Sequence, residues 1–98
     1  MIKFFKQSSE IFPIAIDYDD VLADSETISK QTVTAMIHKG TGEDVTSSVI
    51  SSPIITGRTV VVKVKNGTNG LIYKITVVIE TSANNVYEED VLMKVREI

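Results

Sequence analysis

From Thr59 onward the chain alternates apolar and polar side chains almost without interruption. Val60, Val62 and Val64 fall on one parity, with Thr59, Val61, Lys63 and Lys65 on the other. Across Leu71–Glu80, Tyr73, Ile75, Val77 and Ile79 oppose Ile72, Lys74, Thr76, Val78 and Glu80. The last run sets Val91, Met93 and Val95 against Leu92, Lys94 and Arg96. A period of two marks a strand with one face on a core and the other toward solvent. Helical spacing is almost absent, so the pattern predicts an all-β chain.

The first half carries the same signal in weaker form. Ile11–Tyr18 places Phe12, Ile14, Ile16 and Tyr18 on one side and Pro13 on the other. Proline has no ladder donor, so an edge strand or a bulge is expected there. Thr27–His38 holds Ile28 and then Val33, Ala35 and Ile37. Val45–Ser51 reads as a weak, Ser-rich strand that Pro53 ends, with a further short strand at Ile54–Thr56. Asp19–Glu26 reads as loop. Turn-forming clusters separate the runs: HKGTGED at 38–44, TGR at 56–58, NGTNG at 66–70 and SANN at 82–85. Asn and Gly tolerate the positive φ that tight hairpins need. About seven short strands, with turns roughly every 8 to 12 residues, predict an immunoglobulin-like antiparallel β-sandwich.

Tyr73 sharpens that prediction. It follows Gly70 by three residues at the start of a long strand, with Gly67 earlier in the same loop. Immunoglobulin-like sandwiches place a tyrosine there whose hydroxyl bonds back to nearby backbone. Two readings stand: a structural clasp, or a plain core-facing β former.

Composition narrows the classes. With 98 residues the chain is expected to form one domain, residues 11–98, preceded by an arm or first short strand over residues 1–10. That length supports a continuous core without staples. There is no Cys, which removes disulfides, thiol catalysis and thiolate metal sites together. Net charge is −3 and the ten basic residues are scattered, so no nucleic-acid partner is expected. MIKFFKQSSE is too short and polar for an export signal, and no run approaches the roughly 20 apolar residues that span a bilayer. No membrane partner is expected either.

Candidate chemistry is sparse. DYDDVLADSE gathers Asp17, Asp19, Asp20, Asp24 and Glu26, and clustered carboxylates suit calcium. The spacing departs from the EF-hand loop, because Val21 stands where an oxygen ligand is needed. A solvated acidic loop is the favoured reading, and Glu88, Glu89 and Asp90 read the same way. His38 is the lone histidine, with neither nucleophile nor orienting partner indicated, and reads as a loop-edge residue. A glycosidase cleft needs aromatic walls, and the chain has three Tyr, three Phe and no Trp. NGT at 66–68 fits the glycosylation pattern and reads as turn chemistry. No catalytic, cofactor or metal residues are expected. Ile2, Phe4 and Phe5 form the candidate interface: they either add a strand to the core or dock on a partner.

Several of these stretches carry a family resemblance. DYDDVLADSETISKQTVTA, followed by VTSSVISSPIITGRTVVVKVKNGTNGLIYKITVVIETSANNVYEEDVLMKV, resembles the small fibre-tail adaptor-like proteins of tailed bacteriophages and prophages. The matching positions are Asp17–Tyr18, Leu22, Glu26–Thr27–Ile28, Gly67, Gly70, Tyr73, Thr81 and Val95. Departures fall at Tyr18 and Val21, where the family often has Trp, and at Asn84–Asn85, where it often has Gly. The resemblance covers about Lys6 to the C-terminus. It implies a non-enzymatic virion component of the head–tail or tail region, made in the host cytoplasm and contacting other virion proteins. Self-association on the particle is expected as well, through edge pairing or the apolar N-terminal arm, because unpaired strand groups recruit other chains. The competing reading is a cell-surface or secreted immunoglobulin-like binding module, for carbohydrate or another ligand.

Overall fold

The computed structural model describes residues 2–97. Seven strands form two facing sheets: β1 (Ile2–Lys6), β2 (Phe12–Asp17), β3 (Ile28–Ile37), β4 (Ile50–Thr56), β5 (Thr59–Val64), β6 (Ile72–Thr81) and β7 (Val86–Val95). The larger sheet runs β1-β7-β6-β3 and the smaller β2-β5-β4. The only helix among the described residues is one turn, α1 (Thr46–Val49), leading into β4.

The core is built by parity. Val60, Val62 and Val64 of β5, with Ile75, Val77 and Ile79 of β6, are each 0 % exposed. Val91, Met93 and Val95 continue this layer on β7, and Ile16, Val33, Ala35 and Ile50 close it from the flanking strands. Every side chain that the alternation placed inward on β5 and β6 is buried. The outward set keeps charged and polar groups in water. Burial of apolar area between the layers is the main stabilising term, at roughly 25 cal/mol per Å² removed from water.

Three features depart from the sequence reading. First, the sandwich is not wholly antiparallel: β1 pairs parallel with β7, Ile2 opposite Val91 and Lys6 opposite Val95. Residues 7–11 and β2 carry the chain into the other sheet, which lets two parallel strands lie side by side without a hairpin. Second, Thr46–Val49 is a helical turn rather than a strand. Asp44 Oδ1 accepts the Thr46 backbone N–H at 2.9 Å and also its hydroxyl. Such local bonds compete with a ladder. Third, Pro53 does not end a strand, because β4 runs through it. The β4–β5 register shifts between Ser51 and Ile54, and Ser52 takes a positive φ of 54°. On a sheet edge such an irregularity accommodates the missing donor. Pro13 likewise sits on the edge strand β2.

Truncating Ile75 to Ala should cost about 2–5 kcal/mol, because a fully packed site cannot collapse around the void. Ile54→Ala, at a side chain 54 % exposed, should stay within about 0.5 kcal/mol. Urea melts of both variants check the pair.

Candidate docking surface

Ile2, Phe4 and Phe5 lie on β1, which adds a fourth strand to the larger sheet. Phe4 shares its facing direction with Met93 and meets Phe12 of β2 edge to face, ring centroids 6.0 Å apart. It closes the seam between the sheets. Ile2 and Phe5 remain 51 % and 55 % exposed. Phe5 points to the outer side, where the Arg96 guanidinium stands 4.1 Å from its ring centroid and the Lys94 ammonium 5.7 Å. The segment is thus a sheet strand that still offers apolar surface.

The outer face of the larger sheet is polar at both ends. Leu92 is buried there despite its outward parity, flanked across the ladder by Lys3 on β1 and Lys74 on β6. Lysine stems cover apolar surface while their charges stay wet. Towards the start of β7, Asp90 accepts the Thr76 hydroxyl at 2.8 Å and pairs with Lys74 at 3.7 Å. Lys30 and Glu80 form a further exposed pair at 3.6 Å. Glu88, Glu89 and Asp90 are therefore part of a strand, not a solvated loop. Glu89 shares the inward parity of Val77 and lies half-buried.

At that end the acidic segment 17–26 is fastened by two residues. The Arg58 guanidinium donates to the carbonyls of Leu22, Ala23 and Glu26 at 2.8–3.1 Å and pairs with Asp19 at 2.7 Å. Glu26, read above as part of a solvated cluster, is buried at 4 % exposure. Its carboxylate accepts the Ala23 N–H at 3.0 Å, the Asn85 amide at 2.9 Å and the Thr81 hydroxyl. Those donors, the Thr81 hydroxyl foremost, hold its pKa below the ordinary value. Asp17 accepts the Asp19 backbone N–H at 2.8 Å, while Asp17, Asp19, Asp20 and Asp24 all stay exposed. Among the described residues no three His, Asp or Glu side chains converge as metal ligands. The Tyr18 hydroxyl donates to the Val77 carbonyl at 2.9 Å. Burial, and then the charges of Glu89, Glu88 and Asp90, push its pKa up to about 12.

The opposite end is fastened by Lys6 and Tyr73. Lys6 is 1 % exposed and donates to the carbonyls of Asn66 at 2.6 Å, Gln7 at 2.8 Å and Ser8 at 3.1 Å. Burial lowers its pKa, while Glu10 and Glu97 pull the other way. The Thr68 backbone N–H donates to the Tyr73 hydroxyl at 2.9 Å. Gly67, at φ 98°, lies so close to β7 that a Cβ there would stand 2.7 Å from Val95 Cγ2. Gly70 (φ 90°) donates its N–H to the Val95 carbonyl at 2.8 Å. His38 lies nearby, its backbone N–H on the Ile72 carbonyl at 2.8 Å. With Lys3, Lys39 and Lys94 it rims a shallow depression of about 350 Å³ over Ile72 and Leu92. Sequence reasoning missed Lys6, Arg58 and the burial of Glu26. Only Lys6 left a signal, since it follows Ile2 and Phe4 on the inward parity of IKFFK.

This architecture is that of a two-sheet scaffold whose buried polar groups hold its end loops. A family model for the podophage GP4 fiber-tail adaptor protein gp77 matches residues 6–94. The chain belongs to that family, which makes it a tail-associated structural protein and a virion component. Comparison with curated proteins gives no match. The motif residues are largely interior ones: Tyr18, Leu22, Glu26, Ile28, Tyr73, Thr81 and Val95 are all buried.

Acid should loosen the molecule through Glu26. Its folded pKa lies below the ordinary 4.5, so its stabilising contribution is complete above that value and is lost as pH falls through the lowered folded value. Urea midpoints should drop as pH falls below about 4.5, and Glu26→Gln should lower the neutral midpoint while flattening that slope. Tyr73→Phe leaves the Thr68 N–H without its acceptor and should cost about 1–3 kcal/mol, read in the same melts.

Proposed function

We propose that this chain acts as a non-catalytic joint in the tail of a phage particle, holding neighbouring virion proteins through protein–protein contacts. The observation that carries this reading is how the fold employs its buried polar groups. The buried Lys6, Tyr18 and Glu26, together with the half-buried Arg58, spend their hydrogen bonds on loops and strands of the same chain. They stiffen the scaffold and leave the exposed strands and sheet faces as the working surface. The family membership favours the virion over the cell-surface alternative. In this reading the chain is made in the host cytoplasm and incorporated during tail assembly, between the tail and its fibres.

Strand order supports an immunoglobulin-like reading of the sandwich. Lettering β2 to β7 as B to G, the smaller sheet reads B-E-D and the larger G-F-C, with β1 beside G. Those are the immunoglobulin neighbours, and Tyr73 falls near the start of strand F where the tyrosine clasp belongs.

Disruption of the gene in a lysogen or lytic phage, followed by electron microscopy and mass spectrometry of purified particles, tests the proposal. The chain should be present in wild-type virions, and particles made without it should carry tails lacking fibres. Complete, infectious particles without the chain would overturn the proposal.

A further inference from the structure

Charge is segregated on the outer face of the larger sheet. Strand register sets that face in cross-strand rows. Towards the end of β7, Lys3, Leu92, Lys74 and Met36 lie side by side, and the next row holds Phe5, Lys94 and Ile72. Neither row contains a carboxylate. Towards the start of β7 the outward acids are Asp90, Glu88 and, on β6, Glu80. Lys74 and Lys30 spend their charges on Asp90 and Glu80. Lys3, Lys39 and Lys94 pair with no carboxylate among the described residues. Together with His38 they ring the depression of about 350 Å³ floored by Ile72 and Leu92. In a chain of net charge −3, three unpaired ammonium groups around an apolar floor form a surface complementary to an acidic, partly apolar segment.

The chain carries such a segment at its other end. Within residues 17–26, Asp19 pairs with Arg58 and Asp17 accepts the Asp19 N–H. Asp20 and Asp24 are exposed and make no hydrogen bond or ion pair among the described residues. Val21, 49 % exposed, lies between them in the chain. Its N–H and that of Leu22 both donate to the Tyr18 carbonyl, at 3.1 and 3.2 Å, and Leu22 is buried. The turn therefore keeps its shape before any contact is made. It cannot reach the depression of its own molecule. The acidic segment is tied to Thr81 at the end of β6, and the depression lies over Ile72 at its start, roughly 30 Å away along a ten-residue strand.

We infer that copies of this chain join head to tail, the acidic turn of one seated in the basic depression of the next. The partner's Val21 covers the apolar floor of Ile72 and Leu92, while the partner's Asp20 and the partner's Asp24 face Lys3, Lys39 and Lys94. The rim spans three strand spacings, about 14 Å, which is wide enough for a turn and too wide for one carboxylate to satisfy. This contact uses two different surfaces. Each pair keeps one free acidic turn and one free basic depression, so copies add until the arrangement closes. A second copy is preferred over an unrelated protein because the chain itself supplies the charge and the apolar tip that the depression calls for. The inference rests on surface charge alone, so it holds or fails whatever the chain's place in the tail.

Sedimentation velocity of the full chain provides the test, with one variant carrying Lys3→Gln and Lys39→Gln and another carrying Asp20→Asn and Asp24→Asn. All four side chains are exposed, and circular dichroism confirms that each variant is folded. Wild type should associate beyond a dimer as concentration rises, and less so in high salt. Each variant alone should associate about tenfold more weakly. Mixed in equal amounts, the two variants should recover one wild-type contact yet stop at a 1:1 pair, because that pair exposes only neutralised surfaces. A wild type that stays monomeric at low salt would assign the depression to an acidic segment of another protein and overturn the inference. So would a wild type that stops at a dimer, association that neither variant weakens, or a mixture no heavier than its components.

Discussion

Exclusion of water between two facing sheets is the constraint on which everything else in this molecule depends. The inner faces of β5 and β6 are closed to solvent, so each flanking strand must keep its apolar parity. A slip of one residue would carry a whole apolar set to the surface. That demand fixes register along β3, β6 and β7, which pair over nearly their full lengths. It also limits what the loops can be. A loop at the end of a sandwich cannot be held by the core alone, because it brings backbone donors and acceptors that need partners.

Here those partners are single polar side chains with several bonds each. Arg58 gathers three carbonyls of the acidic segment, Glu26 ties that segment to the β6–β7 hairpin, and Lys6 gathers three carbonyls at the other end. A buried charge is tolerated only when its hydrogen-bonding capacity is used, and Lys6 and Glu26, the two buried charges among these, are so used. The outcome suits a member of a tail-adaptor family. Rigid ends keep sheet faces and edges in a fixed relation, which is what a protein that joins others needs from its own fold.

Legibility followed the same division. Strands β5, β6 and β7 could be read because their alternation is long and their side chains answer to one layer of core. Edge segments were less legible. The Ser-rich stretch around Val45–Ser51 gives its polar side chains a choice between ladder and local bonds, and Asp44 settles that choice for a helical turn. Pro53 looked like a terminator, yet an irregular edge needs no donor at that point. The acidic residues of 17–26 looked alike, and only the proximity of Thr81 and Asn85 separates Glu26 from its exposed neighbours.

By itself, the sequence determined a two-sheet β protein, the inward residues of its central strands, its turn positions and its likeness to phage tail proteins. Periodicity and turn chemistry are local, so they survive without knowledge of neighbours. Tertiary structure decided the parallel seating of β1 on β7 and the burial of Lys6 and Glu26. Each of these depends on which strand lies beside which, a relation between residues some sixty or more positions apart that no local pattern encodes.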